Sequence, residues 1–245
     1  MSDSAVTAAP VPDKNLVARF VGVIVSPRET FEAVAAHPSW LLMAIVVIVL
    51  TAIPTLWFQS TEVGRQATID ESVRQMQAFG MNVSDQVYEA MRKGIMEPSP
   101  MRTAWSLVAM AAMPFLVWAV MAGLAMGIFG VLMGGSGTFK KAFAAVVHSG
   151  VIGVIGILVI TPLNYARESL TSATNLAVLL PFLPDGSFLA RLLGMMDLFR
   201  LWGLFVLAIG LGVAFKKKTG TVATVVFGIF AVIAIGFAAF MAARS

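Results

Sequence analysis

The amino-acid sequence predicts an all-α protein, a polytopic transmembrane helical bundle of about five spans with short interfacial helices. Hydrophobic residues make up 58% of the 245 residues and charged residues 12%, with a mean hydropathy of +0.87. Soluble domains carry about 25% charged residues, so this chain is too apolar to be one. Five apolar segments also approach or exceed the roughly 20 residues that a bilayer crossing needs. Regularly spaced glycines within two of them are typical of helices that pack in lipid.

The five apolar segments define the predicted transmembrane domain, which covers residues 39–242. Its spans are predicted at about 40–58, 105–133, 142–160, 198–215 and 221–242. Pro54 and Pro114 predict kinks in the first and second spans, and Pro162 is predicted to end the third.

The amino-terminal 38 residues are predicted to lie outside the bilayer. Residues 1–14 are small, polar and proline-containing without periodicity, which predicts a disordered cytosolic tail. Residues 15–38 contain an apolar run that is too short to span and are predicted to form interfacial helices. In the second of these, Ser26 can cap, Pro27 suits the first helical position and Glu29 completes a capping box.

Two further segments are predicted to lie at the opposite membrane surface. Residues 59–103 form an outer helical loop, in which Thr68 opens a capping box and Ser84 can cap a second short helix. Residues 163–197 contain a short apolar stretch bounded by prolines, which predicts an interfacial or re-entrant segment.

Short basic turns predict the orientation of the chain. Lys140-Lys141 and the run from Lys216 to Lys218 lie in turns that share a side with the amino terminus if there are five spans. Short loops rich in Lys and Arg stay in the cytosol, so the amino terminus is predicted to be cytosolic. The Ala-, Gly- and Val-rich composition predicts a multi-pass protein of a bacterial cytoplasmic (inner) membrane.

The second and third spans form a predicted hairpin that packs through small residues. On its first arm these residues recur at spacings of four, three and four, and on its second arm at four and three, so each set lies on one helical face. The predicted helix-packing residues are Gly123, Gly127, Gly130, Gly134, Ser149, Gly153 and Gly156.

The candidate functional residues are one intramembrane histidine and a group of charges near the outer membrane surface. His148 is a candidate proton relay, or else a neutral imidazole bonded to a neighbouring carbonyl. Asp197 and Arg200 are three residues apart and can pair, alone or with Arg167 and Glu168, although snorkelling at the outer interface is the favoured explanation.

Standard catalytic patterns are missing from the sequence. It has no Cys, which excludes disulfides, thiol catalysis and thiolate metal sites. We find no nucleophile beside a base, no carboxylate pair within a span, no phosphate loop and no metal-ligand spacing. The sequence therefore predicts neither an enzyme nor a cofactor. Its net charge of +4 is what basic cytosolic loops produce, so nucleic acid is not an expected partner.

Four sequence fragments resemble those of the Yip domain family of five-span membrane proteins. They are Leu16-x-x-Arg19-Phe20 with Ser26-Pro27-Arg28-Glu29-Thr30-Phe31, then Pro38-Ser39-Trp40, Gly137-Thr138-Phe139-Lys140-Lys141-Ala142-Phe143, and Leu201-Trp202-Gly203 before Gly210. The resemblance covers residues 15–240. It implies five helices and a cytosolic amino terminus.

The same resemblance bears on partners. Eukaryotic relatives act at Golgi and endoplasmic-reticulum membranes, bind Rab-type GTPases and one another, and influence vesicle formation. This chain lacks their long amino-terminal region and Tyr-Gly-Pro sequence, so it resembles a bacterial-type member. The resemblance assigns a functional role to none of the matched residues.

Two functions follow as expectations. The first is a non-enzymatic integral membrane protein that acts by lateral association with membrane proteins, or with itself, or by organising lipid. The second is a small transporter or lipid scramblase of unknown substrate, suggested by His148, the kinks at Pro54 and Pro114, and the segment 176–184, because broken helices often surround substrate sites.

Overall fold

The computed structural model describes residues 14–184 and 186–243, which form helices and no strand. The predicted disordered tail, except for Lys14, lies outside the described residues. In chain order the helices are α1 (Leu16–Val25), α2 (Pro27–Ala36), α3 (Leu41–Ser60), α4 (Glu62–Ala78), α5 (Asp85–Met96), α6 (Pro100–Ala125, continued by a π-helical segment, Met126–Leu132), α7 (Phe139–Ala166), α8 (Phe188–Met195), α9 (Leu198–Phe215) and α10 (Thr219–Ala242). A 3₁₀ turn covers Leu176–Leu179.

Five of these helices are long and apolar enough to cross a membrane, which confirms the predicted fold class. They are α3, α6 with its π-helical end, α7, α9 and α10. The prediction that the third span ends at Pro162 is wrong, because α7 continues to Ala166. Proline removes one hydrogen bond, to the carbonyl four residues earlier. Burial of Thr161 and Asn164 anchors the helix on both sides of Pro162.

Helices α7 and α9 form the centre of the bundle. Buried residues make up 56% and 50% of their most apolar stretches, against 22% for each of the other three spans. The two central helices pack directly on each other, and α3, α6 and α10 surround them. The outer spans therefore present most of their apolar surface to lipid.

Helices α1 and α2 do more than lie at the interface, because they pack into one end of the bundle. Val23 of α1 and Phe31 of α2 are fully buried, at 0% and 1% exposure. The ring of Phe31 lies against Gly210 of α9, where an added Cβ would come within 2.8 Å of it. This end of the bundle, which also holds the α6–α7 and α9–α10 turns, is called the amino-terminal face below.

Two predicted capping boxes are wrong in detail. Helix α2 begins at Pro27 as predicted, but the Ser26 side chain makes no capping bond among the described residues. The Ser26 amide bonds to the Gly22 carbonyl, so this residue closes α1 at the same time as it precedes α2. Helix α4 begins after Thr61, whose hydroxyl accepts from the Gly64 amide at 3.0 Å, and Thr68 lies inside it.

The two turns of the amino-terminal face contact each other. The Lys217 ammonium donates to the carbonyl of Met133 at 2.6 Å. Gly137 lies against Ala214 and Phe215 at the end of α9, where an added Cβ would be 2.7 Å from the Ala214 oxygen. These contacts hold the hairpin between α6 and α7 against the central helix α9.

Candidate functional site

The polar groups of the amino-terminal face surround a cavity of about 380 Å³. We call it the amino-terminal cavity. Its walls come from α1, the segment between α2 and α3, the first turn of α3, and α7. Its polar lining consists of Lys14, Arg19, Ser39, Lys140 and His148. A second cavity of about 570 Å³ lies on the same face between α2 and the α9–α10 turn, and it contains Lys216 to Lys218.

Arg19 fixes the wall between α1 and α3. Its side chain is only 5% exposed. The Nε donates to the Lys14 carbonyl at 2.8 Å, and Nη1 donates to the Ser39 hydroxyl at 2.7 Å. A buried guanidinium requires such partners because it carries its charge at every accessible pH. Arg19 therefore ties the chain before α3 to α1.

His148 lies at the inner end of the amino-terminal cavity. It is fully buried, and its Nδ1 is 2.7 Å from the Ala144 carbonyl one turn earlier. A carbonyl oxygen only accepts hydrogen bonds, so Nδ1 carries the hydrogen and Nε2 of the neutral ring is an acceptor. This Nε2 is buried without a hydrogen-bond partner among the described residues. The site therefore has one buried, unpartnered acceptor at its inner end.

Sequence analysis identified His148 but missed its neighbours. Arg19 and His148 line the same cavity although they are far apart in the chain. Arg19 is the only charged residue in the run from Asn15 to Val25, and that isolation was the available signal. Placing Arg19 beside α7 required knowing that α1 packs into the bundle.

At the opposite end of the bundle, Asp197 joins a loop to the start of α9. One carboxylate oxygen accepts from the hydroxyls of Ser172 and Thr174, with the Ser172 bond at 2.6 Å. The other accepts from the amides of Phe199 and Arg200 at 2.9 and 3.2 Å. Burial of the Asp197 carboxyl acts to raise its pKa, but these four hydrogen bonds together hold that pKa below its ordinary value.

The charges predicted near Asp197 are arranged differently from a paired cluster. The Asp197 carboxylate caps α9, so it accepts a hydrogen bond from the Arg200 backbone amide. The predicted pairing was between the two side chains. Arg200, Arg167 and Glu168 are exposed at this end of the bundle. Glu168 has a φ of 52° just after α7 ends.

The predicted packing residues divide into two groups. Gly130 and Gly156 lie against Phe215 and Phe199, with added Cβ atoms 3.3 and 3.0 Å from those side chains, and Ser149 is buried. Gly134 lies in the turn after the helix with a φ of 63°. Because the π-helical segment changes the helical register, the four glycines of the first arm do not form one stripe.

The second group faces open space. Beyond the backbone of its own helix and its chain neighbours, an added Cβ on Gly123, Gly127 or Gly153 would meet no atom of the described residues within 4 Å. These three glycines do not bring helices of the described chain into close contact. Their role in packing stays a prediction, and the partner would have to be a helix from outside the chain.

The fold and both ends of the bundle define an integral membrane protein of five apolar helices. A family model, the Yip1 domain, matches residues 21–241. The chain therefore belongs to the Yip1 domain family. A similar protein, "Membrane protein YknW" of Bacillus subtilis (strain 168), is 27% identical over 221 residues, which are 86% of each chain. No solved structure matches the chain.

Proposed function

We propose that this protein is a non-enzymatic component of a bacterial cytoplasmic membrane, with its amino terminus in the cytosol, that acts by lateral association with membrane proteins. The partner is a second copy or another membrane protein, and the association organises the surrounding lipid. The open glycine notch on the outer face of α6 carries this proposal. We define this notch as Gly123 and Gly127.

The geometry of α6 supports lateral association. Gly123 lies in α6, and Gly127, four residues later, is the second residue of the π-helical segment. A separation of four residues is close to one helical turn, so both glycines lie near one face. Apart from the backbone of the same helix and the adjacent residues, no described atom lies within 4 Å of either Cβ position. Glycines spaced in this way allow two membrane helices to approach closely, because no side chain separates the backbones.

The basic turns support the proposed orientation. Lys140, Lys141 and Lys216 to Lys218 all lie on the amino-terminal face, in or beside short turns. Short loops with an excess of Lys and Arg favour the cytosolic side of the membrane.

Cysteine crosslinking in native membranes tests the proposed association. The chain has no Cys, so Gly123→Cys introduces a single thiol, and open space at the Cβ position lets the side chain fit. We expect this variant to crosslink with a copy of itself or with a neighbour through a short thiol-reactive linker.

Val49→Cys is the matched control for this experiment. Val49 is 46% exposed on α3, a different outer helix, at a similar distance from the amino-terminal face. We expect little crosslinking there. Equal crosslinking at both positions indicates random collision, and its absence at Gly123 contradicts association through the notch. Gly127→Leu added to Gly123→Cys should reduce the crosslinked fraction, since leucine fills the notch.

A small transporter or lipid scramblase is the second candidate function. The observation that favours it is the buried, unpartnered Nε2 of His148 at the inner end of a cavity. Purified protein in liposomes would then carry protons or move labelled phospholipids between leaflets, and His148→Ala would reduce proton flux. Flux equal to that of empty liposomes contradicts this candidate.

A further inference from the structure

We propose that the amino-terminal cavity binds the headgroup of an anionic phospholipid, with the phosphate at its basic rim and a headgroup hydroxyl on His148. The recognised chemistry is a phosphate diester that carries a hydrogen-bond donor. This site lies at α1, α3 and α7, away from the glycine notch of α6, so it goes beyond the proposed lateral association.

The inner end of the cavity requires a donor. Nδ1 of His148 is bonded to the Ala144 carbonyl, so Nε2 is the ring nitrogen left for a ligand. A buried acceptor without a partner destabilises the fold, and a hydroxyl donor from a ligand would remove that cost. The sugar-alcohol hydroxyls of a phosphoglycerol headgroup have this chemistry.

The first turn of α3 provides donors for the phosphate. Leu41, Leu42 and Met43 line the cavity, and their amides begin a helix of 20 residues. The first amides of a helix have no partner within it, and the Trp40 side chain makes no capping bond among the described residues. Such a helix start attracts anions, and here the unpartnered imidazole is a second feature that points to a ligand.

Lysines on two sides of the amino-terminal cavity favour the binding of an anion there. Lys14 is held at its edge by a 3.2 Å hydrogen bond to the Thr30 hydroxyl and lies 4.0 Å from the Glu29 carboxylate, so Lys140 is the main source of positive charge at the rim. Lys140 is exposed and lies two helical turns before His148, about 12 Å along α7 at 1.5 Å per residue. The rim and the inner end are thus separated by a distance that a phosphate and its polar substituent can occupy.

The position of the cavity favours a lipid over a soluble solute. Leu41 and Leu42 are 53% and 65% exposed at the level where α3 enters the bilayer. Trp40 lies at the same level, and Trp residues are enriched at membrane interfaces. A lipid phosphate can enter here while its acyl chains lie against α3. Basic pockets between membrane helices bind lipid headgroups in the same way.

Native mass spectrometry of the full chain in nanodiscs of phosphatidylglycerol and phosphatidylcholine tests the rim. We expect wild-type protein to retain phosphatidylglycerol, and Lys140→Gln to reduce the retained fraction about fivefold, since a cation near the membrane contributes about 1 kcal/mol to anion binding. Lys141→Gln is the matched control, because it removes the same charge from the next residue, which lies outside the cavity. Equal retention in both variants overturns the proposal.

A second measurement tests the hydroxyl contact. Phosphatidylmethanol has the same charge as phosphatidylglycerol but no headgroup hydroxyl, so wild-type protein should retain phosphatidylglycerol about fivefold better. His148→Leu should abolish this preference. If wild-type protein retains the two lipids equally, the role of His148 is overturned. Lys140 is exposed, so Lys140→Gln tests the rim even if His148→Leu does not fold.

Inorganic phosphate distinguishes a lipid from a free anion. Millimolar phosphate should displace little bound phosphatidylglycerol, because it has no acyl chains to contact α3. Complete displacement, or phosphate binding in detergent without lipid retention, overturns the lipid assignment. Adding Lys140→Gln to Gly123→Cys should leave crosslinking unchanged. Failure of the lipid site would therefore appear only in lipid retention, and failure of lateral association only in crosslinking.

Discussion

Asp197→Ala should lower the free energy of unfolding by about 2 kcal/mol or more at pH 7. Loss of a helix N-cap costs about 0.5–2 kcal/mol, and each unpartnered buried polar group costs about 1–3 kcal/mol. The variant removes the cap of α9 and takes the carboxylate acceptor from the half-buried hydroxyls of Ser172 and Thr174, which keep their mutual contact at 3.1 Å. Reversible unfolding in mixed detergent micelles, followed by circular dichroism, measures the change.

The effect of Asp197 should depend on pH in a defined direction. Its pKa is lower in the folded protein than in the unfolded chain, where an Asp titrates near roughly 3.9. The folded state therefore binds the proton less readily, and the carboxylate stabilises the fold at pH values above the unfolded pKa. This contribution is lost as the pH falls through the folded pKa. The difference between wild type and Asp197→Ala should shrink below about pH 4.

Arg200→Gln is the control for Asp197. The Arg200 side chain is exposed, and its contact with Asp197 is made by its backbone amide, which glutamine retains. We expect a change within about 0.5 kcal/mol. A loss comparable to that of Asp197→Ala would mean that an ion pair between the two side chains stabilises this end of the bundle.

The membrane spans were predictable because apolar length is a local property of the sequence. Their helical bounds lie within a few residues of those predicted, except where α7 continues past Pro162. The register of α6 was not predictable from spacing. A π-helical segment, Met126–Leu132, interrupts the α-helical period, and it contains Gly127 and Gly130, whereas Gly123 precedes it.

The candidate sites depended on contacts between distant segments, which local patterns do not contain. The spacing of Asp197 and Arg200 suggested a pair of side chains, whereas hydroxyls from a loop over 20 residues earlier bind the carboxylate. In the same way, Lys14 and Arg19 reach the cavity of His148 because α1 packs beside α7. Sequence identified the polar residues, and the fold determined their partners.

Gly137→Ala should destabilise the protein by about 1–3 kcal/mol, because it inserts a methyl group into a filled contact. The new Cβ would lie 2.5 Å from the ring of Phe215 and 2.7 Å from the Ala214 carbonyl oxygen. The ring can rotate, but the carbonyl is part of the backbone of the central helix α9 and cannot move without the end of that helix. The α6–α7 turn would therefore have to move away from α9, which would lengthen the Lys217 bond to Met133.

Gly153→Ala is the matched control, since it makes the same substitution in α7 at a position where, beyond its own helix backbone and chain neighbours, no described atom lies within 4 Å of the new Cβ. Alanine is favoured over glycine within a helix by about 0.8–1.0 kcal/mol, so this variant should be neutral or more stable than wild type. The two variants should thus change stability in opposite directions in the same unfolding assay. Equal, small effects would mean that the α6–α7 turn does not pack on α9, and the lysines of the two turns would then act independently.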